Sequence, residues 1–290
     1  MNELTILPND GLTKASLPTR PQDSHKGTFG KVLVVAGSRD MAGAAYFAAK
    51  ACYRMGAGLC KILTVRENLP VLATLLPEAL LAGYDAENPD LDTVSAAEEW
   101  ADVLVVGCGM GTSSAARRVL STLLRASEKP TVLDADALNL ISQVPSLLFH
   151  AKGAILTPHV MEMARLLNTT PEEITKNPAK IAHGFAKEKG VICVLKGHRT
   201  AVTDGSGTVY RNETGNSGMA TAGSGDVLAG MIGGLLAGGL HEGADGLTAA
   251  RLGVYLHGKC GEAASARMTE YSVMASDLID EIPHVLSALA

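Results

Sequence analysis

Six consecutive residues, Thr221-Ala-Gly-Ser-Gly-Asp226, run straight into the glycine-rich segment Val-Leu-Ala-Gly-Met-Ile-Gly-Gly. These residue types, in this order, suit phosphoryl chemistry. Gly223 and Gly225 let the backbone come close to an anion. The free N–H groups that open the following helix, together with its dipole, stabilise negative charge. Gly223, Ser224 and Gly225 are therefore a candidate anion hole. Asp226 falls in the first helical turn, where it either caps the helix or accepts a proton from a substrate hydroxyl. The implied ligand is a nucleotide.

Three other loops follow strand-like runs, and ligands of open α/β sheets bind beyond the carboxyl ends of the strands, so all could share one crevice. Ala36–Ala44 lacks the Gly-x-Gly-x-x-Gly signature and is a tight turn or a substrate wall. Gly107-Cys-Gly-Met-Gly111, with Asp134 at the end of the next strand, mimics a dinucleotide fingerprint. Its final glycine is displaced, however, and the acid lies beyond the usual spacing of about 20 residues. Thr157-Pro-His159 precedes Glu162, where the histidine serves on its own as a helix cap and the acid as a surface helix residue. Lys196-Gly197-His198-Arg199-Thr200 is, on its own, a basic turn.

The elements that must carry these loops alternate. Val32–Ala36, Lys61–Val65, Val103–Val106, Thr131–Leu133, Ala154–Leu156 and Val191–Leu195 are expected strands, mostly continuous apolar runs that suit burial on both faces. Ala44–Met55, Ser114–Ala126, Met161–Leu167 and Ala179–Lys189 are expected helices, which implies βαβ crossovers and a mainly parallel sheet. Asp204-Gly-Ser-Gly207 between two short β-branched runs signals an appended antiparallel hairpin. Ser224–Gly239, Ala244–Ala266 and Ala275–Leu289 are expected to finish the chain as helices. The expected architecture is α/β, three layers deep, in one domain over residues 1–290 with an N-terminal extension at 1–25.

Composition narrows the class. Of 290 residues, 47% are hydrophobic and 19% charged, which implies a large core and not disorder. A net charge of −5 argues against a nucleic-acid partner. Five scattered cysteines with no Cys-x-x-Cys pair fit a reducing, cytoplasmic setting without a structural metal. The first 30 residues are polar and hold three prolines, unlike a signal peptide. The longest apolar stretch, Val227–Leu240, is too short to span a bilayer, which needs about 20 residues.

Gly-Ser-Gly-Asp226 resembles the anion hole and catalytic base of ribokinase-like small-molecule kinases. The fuller run GNSGMATAGSGDVLAGMIGG is closer to one branch of that superfamily, the ADP-dependent (S)-NAD(P)H-hydrate dehydratases. KGTFGKVLVVAGS (Lys26–Ser38), VLDADALNLI (Val132–Ile141), ILTPH (Ile155–His159), LKG (Leu195–Gly197) and GVYLHG (Gly253–Gly258) fit the same family in order. The resemblance implies a ribokinase-like fold and repair of NADHX and NADPHX, the hydrates of NADH and NADPH. It implies ADP, or ATP, as phosphoryl donor, with Mg²⁺ held through Glu162. Asp226 becomes the catalytic base, and Ala44, Gly109, Gly111, His159 and Asp226 line the substrate. Lys196, Gly197, His198, Arg199, Thr200 and Gly225 line the nucleotide. The family further implies a homotetramer, and the chain length implies that NAD(P)H-hydrate epimerase is a separate protein. A vitamin-precursor kinase and a non-catalytic adenine-nucleotide sensor are the alternatives.

Several positions depart from the family pattern. Val160 and Met161 stand where Pro-Gly is usual, Ser217 replaces a proline and Ala222 a glycine, and His198 and Arg199 replace smaller residues. These are expected to alter loop shape and nucleotide preference more than activity.

Overall fold

The computed structural model describes residues 4–12, 14–243 and 245–289. Ten strands form one sheet among the described residues: β1 (Thr5–Pro8), β2 (Lys31–Val35), β3 (Leu59–Val65), β4 (Leu80–Tyr84), β5 (Val103–Val106), β6 (Thr131–Leu133), β7 (Ile155–Leu156), β8 (Ile192–Leu195), β9 (Ala201–Thr203) and β10 (Thr208–Arg211). Their order is β1-β10-β9-β8-β7-β6-β5-β2-β3-β4. From β8 to β4 every pairing is parallel, and β9 and β10 form the antiparallel hairpin anticipated from Asp204–Gly207.

Eleven helices are described: α1 (Ala42–Arg54), α2 (Leu69–Leu75), α3 (Leu91–Trp100), α4 (Ser114–Ala126), α5 (Asp136–Gln143), α6 (Val160–Leu167), α7 (Pro171–Lys176), α8 (Pro178–Lys189), α9 (Ser224–Gly239), α10 (Gly246–Met268) and α11 (Ala275–Ala288). The alternation of side chains along a strand explains why continuous apolar runs are needed. In β2, Val32 and Val34 join one core with α1, α9, α10 and α11. Leu33 and Val35 join the other, with α3, α4, α5 and α8. The result is the three-layer αβα arrangement expected.

The structure adds elements the sequence reading lacks: β1, β4, α2, α3, α5 and α7. Residues 1–25, expected as an extension, supply the edge strand β1, which pairs in parallel with β10. Ala244, where the long helix was expected to start, lies outside the described residues; that helix is capped by Asp245 and begins at Gly246.

α9 lies almost entirely buried because its glycines let α1 approach. A methyl group on Gly230 would collide with the carbonyl oxygen of Ala48 in α1. Replacing a mid-helix glycine by alanine ordinarily gains up to about 1 kcal/mol. Here the overpacking, about 1–3 kcal/mol, wins. Gly230→Ala is therefore expected to lower the melting temperature, and a thermal melt checks it.

Candidate active site

The chain just past β5, β6 and β8 reaches the amino end of α9: Cys108 and Asp134 lie beside Asp226, and Lys196 beside Gly225. Gly223 caps that helix in the left-handed region (φ 89°), with no side-chain cap bond. A Cβ there would lie 2.8 Å from the Phe47 ring and 2.9 Å from Ala275 Cβ, so the position excludes a side chain as well as favouring glycine. Ser224 Oγ lies 3.3 Å from Nε2 of the buried His257. Burial pushes that imidazole down to about 4, so it stays neutral near pH 7.

Asp226 follows within the first turn of the helix. Burial, reinforced by the charge of Asp134, raises its carboxyl to about 7, against the lowering effects of the Cys108 thiol and Lys196. Ligand atoms of Cys108, Asp134 and Asp226 lie within 4.8 Å of one another. A buried carboxylate held near neutrality can take a proton under ordinary conditions and is not locked in a strong ion pair.

Asp134, at the end of β6, is the hub. Its Oδ1 accepts a bond from Thr157 Oγ1 at 2.6 Å and pairs with Lys196 Nζ at 2.6 Å. Lys196 also lies 4.0 Å from Glu162 Oε2. Burial alone would lower the Lys196 ammonium, but Asp134 and Glu162 more than reverse this and leave it raised. Neighbouring parallel strands β6, β7 and β8 bring these groups together, since each ends at the same edge.

His159 caps α6 reciprocally. Its Nδ1 accepts from Met161 N at 3.0 Å, and Glu162 Oε2 accepts from His159 N at 2.8 Å. Val160 and Met161, in place of the usual Pro-Gly, leave this cap intact. Burial raises the Glu162 carboxyl to about 7, with Lys196 opposing. His159 is held below its usual range, by burial first and then by Lys196.

A cavity of about 490 Å³ opens on one side of Gly225, within the size range of small-ligand sites. Lys196, Gly197, His198 and Thr200 line it, but Arg199 is exposed and lies outside the lining. A Cβ on Gly225 would sit 3.3 Å from Lys196 Nζ and 3.6 Å from Asp134 Oδ2, so this glycine separates the cavity from the acid cluster. On the other side, Gly109 abuts Ala44: a Cβ on Gly109 would come within 2.8 Å of the Ala44 methyl. Cys108, adjacent to Gly109, joins this side to Asp226. The N–H of Gly111 is already given to Asp136 Oδ2 at 2.9 Å, so an incoming phosphate would have to compete for it.

Sequence reasoning misses Asp134 as the hub, the thiol of Cys108, and the cavity residues Asn212 and Thr214, and it holds Met219, Leu228 and Val254 only inside motif runs, with no role. It contains His257 only inside the GVYLHG run, with no role. Asp134 carries a signal, an acid ending a strand, but that signal points to a ribose contact and not to a lysine pair.

The family model that matches the chain is described as NAD(P)H-hydrate dehydratase and spans residues 32–284. The chain belongs to this family. It is 40% identical over 287 residues to the bifunctional NAD(P)H-hydrate repair enzyme Nnr of Moorella thermoacetica, covering 95% of this chain and 53% of that protein. It is 40% identical over 247 residues to the ADP-dependent (S)-NAD(P)H-hydrate dehydratase of Neisseria meningitidis, covering 84% and 80%. The chain thus spans about half the length of the bifunctional relatives it matches. Among solved structures, the ADP/ATP-dependent NAD(P)H-hydrate dehydratase of Bacillus subtilis, co-crystallised with ATP and Mg²⁺, superposes with a TM-score of 0.83 at 30% identity over 99% of both chains. A ribokinase-like superfamily protein of Enterococcus faecalis gives 0.84 at 30% identity over 99% of this chain and 96% of that one. The fold of this NAD(P)H-hydrate dehydratase family member is ribokinase-like, as the Gly-Ser-Gly-Asp226 resemblance implied. No described helix is long and apolar enough to cross a membrane, and all five cysteines are free and buried.

Proposed function

We propose that this chain restores NADH and NADPH from their (S)-hydrates, using ADP as phosphoryl donor and accepting ATP. The observation that carries this reading is Asp226, its carboxyl raised to about 7, at a helix terminus with no side-chain cap and with Gly225 between it and a cavity of about 490 Å³. Hydroxide is a poor leaving group. Asp226 takes the proton of the hydrate hydroxyl as its oxygen bonds to the terminal phosphorus of ADP, and the phosphorus–oxygen bond to AMP breaks. N–H groups of Gly223–Asp226 stabilise the charge on the transferring group. Phosphate then leaves with the former hydroxyl oxygen, and loss of a ring proton restores the double bond. The products are the dihydronicotinamide, AMP and phosphate.

Magnesium fits the charge balance. Asp134, Glu162 and Asp226 face the single ammonium of Lys196, and Asp136 adds its negative charge beside Asp226, so a polyanionic donor requires further positive charge. Both oxygens of Glu162 are near His159, which favours holding the ion through water. When bound, Mg²⁺ would neutralise phosphate charge. The same reading includes a cytoplasmic location, a homotetramer and an NAD(P)H-hydrate epimerase acting on the same metabolite, all carried by the family resemblance.

Incubation with NADH hydrate and ADP or ATP, following NADH and phosphate together, tests the proposal. Recovery of NADH with stoichiometric phosphate supports it. A stable phosphorylated product would indicate a kinase, and nucleotide binding with neither signal a sensor.

The acid limb of kcat/KM is expected to rise with an apparent pKa of about 7, because the base must be ionised. Stability has the opposite slope. Asp226 and Glu162 have folded pKa values of about 7, above the ordinary 3.8 and 4.5 of free carboxyls. The stability they contribute is complete below those ordinary values and is lost as pH rises through about 7. Melting curves across that window, beside the pH–rate profile, check both slopes.

A further inference from the structure

The strand β1 precedes the family match and buries none of its four residues; Ile6 and Leu7 are 49% and 42% exposed. Hydrophobic burial therefore does not explain why this segment is bound to the sheet. The next residue does bury its side chain, and it is polar: Asn9 is 3% exposed. Its N–H extends the pairing of β1 by bonding Arg211 O at 2.8 Å.

The amide of Asn9 is fully used. Nδ2 donates to Asn212 Oδ1 at 3.2 Å and to Arg251 O at 3.0 Å, and Oδ1 accepts from Arg251 Nε at 3.2 Å. Arg251 is fixed in turn over the Tyr210 ring, 3.6 Å from its centroid. Asn212 passes the order on, donating to Thr214 Oγ1 at 3.0 Å and to Thr214 O at 3.1 Å. Its N–H bonds Thr200 O at 2.8 Å. Asn212, Thr214 and Thr200 all line the large cavity.

We propose that Asn9 is a positioning residue for the nucleotide, and that β1 is retained in order to deliver it. It touches no ligand; it fixes Asn212 and, through it, the polar wall formed by Thr200 and Thr214. This rests on the reading of the cavity as the nucleotide site. A buried amide that loses its partner costs enough free energy to change which orientation Asn212 adopts.

The test measures ADP affinity by calorimetry, and kcat and both KM values, for Asn9→Ala, Asn9→Asp, Asn212→Ala and the Asn9→Ala/Asn212→Ala double variant. Asn9→Asp keeps the acceptor for Arg251 and loses both Nδ2 donations, so it separates the wall from the fold and decides the matter if Asn9→Ala does not fold. The expected result is an ADP dissociation constant and KM raised about tenfold in both Asn9 variants. The kcat and the KM for the hydrate stay within about twofold of the unchanged protein. The double variant should bind ADP no more weakly than Asn212→Ala alone, because both act through one bond. Unchanged ADP affinity in Asn9→Asp, additive effects in the double variant, or a common fall in kcat with both KM values altered would overturn the role. Absence of ADP binding to the unchanged protein would overturn the cavity reading and this role together, whereas binding there with unaltered Asn9 variants overturns the role alone.

Discussion

Asp226→Asn is expected to fold, to bind ADP and to lose at least ~10²-fold in turnover, the contribution of a positioned general base. The amide keeps the size of the carboxyl but cannot accept the substrate proton. Folding should not suffer, because burial disfavours the charged carboxylate and has raised its pKa from 3.8 to about 7. Ionising Asp226 in the folded state therefore costs on the order of a few kcal/mol above neutral pH. Removing that charge should raise the melting temperature slightly at about pH 8 and flatten its pH dependence. More stability with less activity marks a group kept for chemistry. Single-turnover phosphate release and a thermal melt measure the two sides. Near-normal turnover in the variant would remove Asp226 from the base role.

The parts of the site visible in sequence are those set by neighbours along the chain. Gly223, Gly225 and Asp226 are a local pattern, and α9 is where the pattern says a helix begins. His159 and Glu162 stand three residues apart, and that spacing alone is enough to form the capping box found. The central strands are legible for a similar reason: Val103–Val106 is apolar throughout because both faces of β5 are covered.

What sequence hides is what depends on strand order. Asp134 meets Thr157 and Lys196 only because β6, β7 and β8 are adjacent, a fact with no local signature. Cys108 looks like the other buried cysteines until the fold puts it against Asp134 and Asp226. Edge strands escape for another reason. β4 (Leu-Leu-Ala-Gly-Tyr) has no β-branched residue and contains Gly83, and β1 is only four residues long and closes on Pro8, so neither carries the β-branched run of the central strands. α3 was readable in principle, with Asp90 as its cap, but charged residues crowd the stretch and blur its apolar face.

Lys196→Met is expected to damage both the fold and the site. Asp134 is 1% exposed and Glu162 is 4% exposed, and Lys196 is the cation both face. Removing one partner of a buried pair strands the other and costs about 3–5 kcal/mol. For a chain of this size that is a fall in melting temperature on the order of 10 °C. Asp134→Asn in the same chain removes the stranded charge, so the double variant should recover part of the loss, a non-additivity that a double-mutant cycle reads directly. The site responds as well. Lys196 opposes the rise of both the Asp226 and the Glu162 carboxyls. Without it both are pushed further up, and whatever turnover remains should show its acid limb displaced to higher pH. A merely structural lysine would lower stability and leave that limb in place. A residual pH profile coincident with that of the unchanged protein would separate Lys196 from the tuning of the base.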